Sequence, residues 1–364
     1  MTLNNMNLEI ERWEMGSDFH MVTGYTGIPS APWLESGRLT VSGRAALLFL
    51  LEHLELQRSY SKVGNSVWLP AYSCDQLEIA LLEAGHRVRF WDGSPIAGWE
   101  FPDPEMRPND IVVLHNYFGL EVACREHVPA LQGRGVLIIE DHSHAPSGIL
   151  ASSSKADYAF ASLRKTLPLS DGGVMWSPSG ETLPEPETDA PIVTPRIAAM
   201  LGKAAYLRGE PFPKPQYREW YVQAEALVGA VRPAGMSDFA RQQLASFDTQ
   251  AWDSARARNI SWLHVNIPTT IEYSIISVPD AHETMGLLLY FHGREARDRL
   301  RSYLNSRQVY GAVLWPLPHG VSRETAPQAT DFQERMLFLH ADGRYVESDL
   351  ARMCDLLDEY QNRV

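Results

Sequence analysis

The run Val136-Leu137-Ile138-Ile139-Glu140-Asp141 sets four apolar residues directly before two carboxylates. A short apolar run of this kind, closing on charge, reads as a strand buried on both faces with its carboxyl end at a working surface. A second run, Ala156 to Ala161, stops at Ser162 and is followed by Lys165, then by Asp171-Gly172-Gly173 and a further apolar run, Val174-Met175-Trp176. Lys165 follows Asp141 by 24 residues, which leaves room for one short helix or loop and one strand. The acid and the lysine are therefore expected on nearby strand ends of one sheet, where open α/β sheets place their ligands.

The chain before and between these runs alternates in the same way. Thr40 to Leu51 reads as a turn at Ser42-Gly43-Arg44 opening an apolar helix that continues to about Leu56. Val67-Trp68-Leu69 is a strand ending at Pro70, and Asp75 to Ala84 a helix closed by Gly85. Val88 to Asp92 and Asp110 to His115 are further strands, with a Pro-rich connection over 93–109 between them and a short helix, Glu126 to Leu131, after them. Such alternation predicts an α/β fold with a mainly parallel sheet covered by helices. His115, Asp141 and Ser162 then all fall at strand carboxyl ends.

Residues 1–40 are Pro/Gly-punctuated and read as an arm over the body, and 177–218, rich in Pro and Glu, as an excursion on the surface or across a partner. Met236 to Ala257 reads as one helix carrying Arg241 and Arg256. Beyond about Ile260 the pattern changes: strand Gly286 to Phe291, helix Ala296 to Asn305, a strand candidate Val309 to Trp315, strand Met336 to His340 and a closing helix Ser348 to Tyr360. The expected division is a large domain over 1–245, arm included, and a smaller C-terminal α+β domain over 246–364. No internal repeat is present.

The net charge of −13 argues against a nucleic-acid partner, which needs clustered Lys and Arg. No run reaches the eighteen or so apolar residues of a membrane span, and Met1 to Glu14 lacks the apolar core of a signal peptide, so a cytoplasmic protein is expected. Cys74, Cys124 and Cys354 are odd in number and widely spaced, giving neither a disulfide framework nor a zinc spacing, and no metal is expected. Only five lysines occur, Lys62, Lys155, Lys165, Lys203 and Lys214, so one placed at a strand end stands out.

An acid and a lysine on neighbouring strand ends suit a cofactor that has both a basic ring nitrogen and an aldehyde, namely pyridoxal 5′-phosphate. The lysine forms a Schiff base, a carboxylate keeps the ring nitrogen protonated so that the ring accepts electrons, and the phosphate needs N–H and hydroxyl donors. Lys165, Asp141, the turn Ser42-Gly43-Arg44 with Ser162, and a ring-facing Tyr72 or His115 are the candidates. Each type has a plain structural use as well: a strand-end Asp as a turn residue, Ser42 as a helix cap, His144 as a turn histidine, a lone lysine as a solvated side chain. Their order and spacing together favour the cofactor.

Ser42-Gly43-Arg44-Ala45-Ala46-Leu47, Leu69-Pro70-Ala71-Tyr72-Ser73-Cys74, Glu140-Asp141-His142-Ser143-His144-Ala145, Ser162 to Lys165 with Asp171-Gly172-Gly173, and Met236-Ser237 resemble the DegT/StrS-type aminotransferases over about residues 40–350. That family has pyridoxal-phosphate fold type I, and many of its members aminate keto sugars carried on nucleotides. The resemblance implies Lys165 as the Schiff-base lysine, Asp141 as partner of the ring nitrogen, His144 near the ring hydroxyl, and Gly43, Arg44 and Ser162 near the phosphate. It also implies a homodimer with the active site at the interface. This chain departs from the family pattern in four places. The serine precedes the lysine by three residues rather than five; Arg44 stands where Thr is usual; Cys74 occupies the ring-stacking position that is often aromatic; and Arg232 is the candidate to replace an Asn that reaches the neighbour's phosphate.

The expected activity is transfer of an amino group from an amino acid such as glutamate to a keto acceptor, with a nucleotide-linked keto sugar as one acceptor class. Trp315, His319 and Arg323 are the candidate acceptor contacts. The same scaffold also serves elimination and decarboxylation, and a non-catalytic protein of this fold is the rival from a different class.

Overall fold

The computed structural model describes residues 12–96, 98–99, 105–120, 123–187, 193–230, 234–276 and 285–363. Its central sheet has seven strands: β1 (Arg38–Thr40), β2 (Val67–Pro70), β3 (Val88–Trp91), β4 (Ile111–His115), β5 (Leu137–Asp141), β6 (Tyr158–Ala161) and β7 (Gly173–Trp176). They lie side by side as β1-β7-β6-β5-β4-β2-β3. β7 pairs antiparallel with both its neighbours, and the other strand pairs are parallel. The sheet is thus mainly parallel, as its unbroken apolar strands require.

Helix α1 (Gly43–Leu56) forms because Ser42 caps it, its hydroxyl accepting the Ala45 N–H, and because Ala46, Leu47, Leu50, Leu51 and Leu54 make one apolar stripe. That stripe packs on the sheet face formed by Val67, Leu69, Ile111, Val113 and Ile139. Alternate residues Trp68, Val112, Leu114 and Ile138 point to the opposite face and share a second core with Leu288, Trp315, Phe332 and Phe338 from the C-terminal part of the chain. α2 (Asp75–Glu83) bridges β2 and β3 and ends at Gly85, whose φ of +84° is the left-handed cap position expected of that glycine, and α3 (Val128–Gly133) leads into β5.

The C-terminal part carries its own antiparallel sheet of β8 (Tyr273–Ile275), β9 (Leu287–Phe291) and β10 (Met336–Leu339), in the order β8-β9-β10. Its core contains residues of α7 (Thr249–Asn266), α8 (Arg294–Asn305) and α10 (Glu347–Gln361). Among the described residues no helix is long and apolar enough to cross a membrane.

Several expectations need correction. The supposed excursion over 177–218 contains α4 (Thr194–Leu207), which packs against α5 (Lys214–Ala230) as a helical pair. Pro195 and Pro215 sit in the first turns of these helices, where proline is tolerated, so the prolines read as breakers were helix starts. The single helix over 236–257 is two, α6 (Asp238–Ala245) and α7, because Asp248 caps the second by accepting the Ala251 N–H. The strand candidate 309–315 shrinks to Val309–Tyr310, paired in parallel with Met15–Gly16 of the N-terminal arm, and a helix absent from the sequence reading, α9 (Pro327–Arg335), precedes β10. Arg38–Thr40, read as part of the arm, is the sheet's edge strand β1.

Candidate functional site

The parallel register sets His115 opposite Asp141 and Asp141 opposite Phe160, so β4, β5 and β6 finish at one level. Asp141 is buried there. Its Oδ2 lies 2.9 Å from His115 Nδ1, and its Oδ1 accepts the Ser143 N–H at 2.8 Å. Burial would raise its pKa, but the hydrogen bond and charge of His115, with Lys165 beyond it, outweigh that and hold the carboxyl well below the usual range. The Ser143 hydroxyl in turn accepts the Ser162 N–H at 2.8 Å, tying the ends of β5 and β6 together.

Lys165 ends a single 3-10 turn, Leu163–Lys165, that follows Ser162. Its Nζ stands 5.1 Å from the centre of the Trp315 ring. His144 packs between Trp315 and Phe118, with ring centres 5.1 and 4.8 Å away. Its Nδ1 accepts the Phe118 N–H at 3.1 Å, which leaves the proton of the neutral ring on Nε2. Burial first, then the nearby Lys165 charge, push its pKa well below the usual value, so the ring is neutral.

The start of α1 meets these strand ends at close quarters. A Cβ at Gly43 would lie 3.0 Å from Ser162 Cβ, and one at Gly173 would fall 2.3 Å from the Ser42 carbonyl carbon. Of the first-turn N–H groups at this junction with the end of β6, that of Ala45 goes to the Ser42 hydroxyl, and those of Gly43 and Arg44 have no partner inside the helix. Two guanidiniums stand beside them. Arg44 donates to Gln76 at 3.0 Å, and Arg164 forms a two-point pair with Glu225 of α5. Burial and then Arg164 lower the Arg44 pKa, as expected of neighbouring cations.

These groups enclose a cavity of about 160 Å³, whose wall includes Ser42, Gly43, Arg44, Cys74, Asp141, Ser162 and Lys165. Tyr72 and His115 lie behind the wall: Tyr72 is buried with its hydroxyl on the Leu314 carbonyl, and His115 backs Asp141. Trp315 is brought to Lys165 and His144, whereas His319 and Arg323 stand apart. The His319 N–H binds Glu78 of α2 while its imidazole is largely exposed, and Arg323 pairs with Glu334. Arg232 lies outside the described residues. A larger cavity of about 220 Å³ lies at Glu14, Lys214, Tyr217 and Tyr310, but its lysine is already bound to Glu14, Gln308 and Tyr310. Among the described residues no cluster of three or more His, Cys, Asp or Glu could hold a metal.

No protein-family model matches the sequence, and comparison with curated protein sequences finds no match. Solved structures do match. A Streptococcus pneumoniae protein, Spr1654, described as a sugar aminotransferase and solved in its PLP form, matches with TM-score 0.65 at 14% identity, over 96% of this chain and 99% of that one. Helicobacter pylori PseC, an aminotransferase involved in the biosynthesis of pseudoaminic acid, matches with TM-score 0.62 at 10% identity, over 95% and 99%. S. venezuelae DesV, solved in complex with a ketimine intermediate, gives TM-score 0.59 at 17% identity, over 90% and 85%. The chain has the fold of these aminotransferases.

Within this aminotransferase fold, Ser143 and Glu225 line the cavity without having been singled out in the sequence, and Asp171, read there only as part of its glycine segment, supports it from behind. Ser143 was quoted only within its segment, yet it contacts both Asp141 and Ser162. Asp171 receives both the N–H and the hydroxyl of Ser237, fixing the start of α6 behind the glycine pair. Glu225 had no sequence signal, since it comes from a helix that the Pro-rich composition concealed.

Proposed function

We propose that the protein is a pyridoxal-phosphate-dependent aminotransferase, with residues 1–245 as its cofactor-binding part and 246–364 as a smaller second part. The observation that carries this reading is the shared cavity wall of Lys165 and a buried Asp141 whose carboxyl is kept ionised. The residues fit the cofactor. Asp141 spends one acceptor position on each oxygen and keeps further lone pairs for a ring N–H. The α1 start offers the N–H groups of Gly43 and Arg44 beside two guanidiniums, as a phosphate needs.

When bound, the cofactor supplies an aldehyde that captures amines and a ring that accepts the electrons of a carbanion. Lys165 Nζ would hold the cofactor's carbonyl and, as a free amine, would be the base that takes the α-proton of the amino donor. Asp141 would keep a proton on the ring nitrogen, and His115 and Ser143 hold Asp141. His144, with its proton on Nε2, would be the donor to the ring hydroxyl, and Gly43, Arg44 and Ser162 would hold the phosphate. Trp315 shields the lysine from water. Glutamate is the proposed donor, and a keto sugar on a nucleotide the proposed acceptor, in keeping with the sugar aminotransferases that share the fold. A cytoplasmic homodimer with its sites at the interface completes the reading.

The test is an absorption spectrum of the protein reconstituted with pyridoxal phosphate, beside Lys165→Ala, before and after glutamate. A band near about 420 nm that is lost in the variant and moved toward about 330 nm by glutamate is expected. No band in the wild type would sink the reading.

A further inference from the structure

The proposed phosphate end of the cavity already contains an anion. Glu225 reaches it from α5, and both terminal nitrogens of Arg164 face its carboxylate, at 2.5 and 3.1 Å. Arg196 shares the same oxygen at 2.5 Å from behind, with Asp18 3.6 Å away on its other side. Against the desolvation of its surroundings, Arg164 and then Arg196 hold the Glu225 carboxyl at about 2, so it is charged at neutral pH. The pair takes one N–H from each terminal nitrogen of Arg164 and leaves its buried Nε–H, which has no partner, and the second N–H of each terminal nitrogen. Arg44, beside it, has a neutral partner in Gln76.

We propose that Glu225 is a resident counter-anion of the cofactor's phosphate site: it occupies Arg164, competes with the phosphate for that guanidinium, and so lets α5 set how firmly the phosphate end is held. The proposal rests on the cofactor reading above. A phosphate and a carboxylate want the same planar fork of donors, and a carboxylate at the rim also repels the incoming dianion. Its consequence falls on the aminated cofactor. Lys165 tethers only a carbonyl, so between the two halves of a transamination the amine form is held by non-covalent contacts alone, and the phosphate grip decides whether it stays.

The experiment is equilibrium binding of pyridoxamine 5′-phosphate and of pyridoxal 5′-phosphate, read by protein tryptophan fluorescence, with phosphate-free pyridoxamine as the control ligand. Wild type, Glu225→Gln, Arg164→Gln and the double variant are compared, each with its thermal unfolding curve. Glu225→Gln is expected to tighten pyridoxamine phosphate by about tenfold and to leave pyridoxamine unchanged. Arg164→Gln is expected to weaken the phosphate ligand by about tenfold or more, and the gain from Glu225→Gln to shrink in its background. A folded Glu225→Gln that binds pyridoxamine phosphate no better than wild type overturns the proposal and leaves Glu225 as a brace for Arg164. Binding of pyridoxal phosphate with none of the amine form, in wild type and Glu225→Gln alike, also overturns it but leaves the cofactor reading standing. Failure to bind either phosphate ligand in all four proteins removes that reading as well.

Discussion

His115 Nδ1 and Asp141 Oδ2 lie 2.9 Å apart on directly opposed residues of two adjacent parallel strands, both side chains buried. The contact is set by register, since slipping either strand by one residue would turn its side chain to the opposite face from its partner's. It makes Asp141 an ionised carboxylate in a place where burial alone would keep it protonated. Asp141→Asn removes the charge while retaining the shape. The 420 nm band is expected to survive and its conversion by glutamate to slow by about 10²–10³-fold in stopped-flow absorbance. His115→Ala leaves the charge but removes one of its donors, and a loss of about ten- to a hundredfold is expected. Equal rates for Asp141→Asn and wild type would remove Asp141 from the proposed role.

Gly173 begins β7 so close to the start of α1 that an added Cβ would fall 2.3 Å from the Ser42 carbonyl carbon and 2.6 Å from the Gly43 nitrogen. Neither neighbour is a side chain that can swing aside. Gly173→Ala is expected to cost about 3 kcal/mol in urea unfolding, the upper part of the range for overpacking. Cofactor affinity should fall with it, because the helix start must move. Unchanged stability would mean that the α1 start is looser than the packing indicates.

The sequence made the sheet legible because its strands are apolar on both faces and closed by unusual polar residues. Val136 to Asp141 and Ala156 to Ser162 announce themselves in this way. Asp141, Lys165, Ser162 and the α1 turn could be read because they sit at element ends, where a residue's type and its place coincide. Ser143 was hidden because a serine in a turn has many uses. Glu225 and the α4–α5 pair were hidden because Pro195 and Pro215, in the first turns of helices, look in sequence like loop prolines. His319 and Arg323 were grouped with Trp315 by nearness in sequence, but an irregular chain turns them elsewhere. The His319 N–H binds Glu78, and Arg323 pairs with Glu334.

Behind Asp141 a second carboxylate, Glu140, is buried and paired with Arg125 at 2.9 and 3.1 Å and with His142 at 3.0 Å. Burial would raise its pKa, yet His142 and Arg125 bring it down to about 2 from an ordinary 4.5. A depressed carboxylate stabilises the fold above its unfolded pKa and loses that contribution as pH falls. Stability should therefore fall as the pH drops from about 4.5 to 2, by about 3 kcal/mol from this group. Arg125→Leu leaves the charge without its guanidinium and is expected to cost about 3–5 kcal/mol at neutral pH. It should also flatten the acid slope, because Glu140 then titrates nearer its unfolded value. Chemical unfolding at a series of pH values reads both effects; an unaltered slope in the variant would assign the acid sensitivity to other groups.

Trp315 is where the C-terminal part of the chain meets the proposed chemistry. Its ring touches Tyr72 and His144, at 5.3 and 5.1 Å between centres, and lies 5.1 Å beneath the Lys165 ammonium. An aromatic face in that position restricts the lysine by a cation–π contact of about 0.5–2 kcal/mol and keeps water from the amine. Trp315→Leu preserves an apolar volume but removes the ring, so the cofactor band is expected to form while the glutamate half-reaction slows by about tenfold. Trp315→Phe restores a face of smaller area and should recover most of that rate. If leucine and phenylalanine were equally slow, size rather than the aromatic face would be what Lys165 requires; if both matched wild type, the tryptophan would be core packing alone.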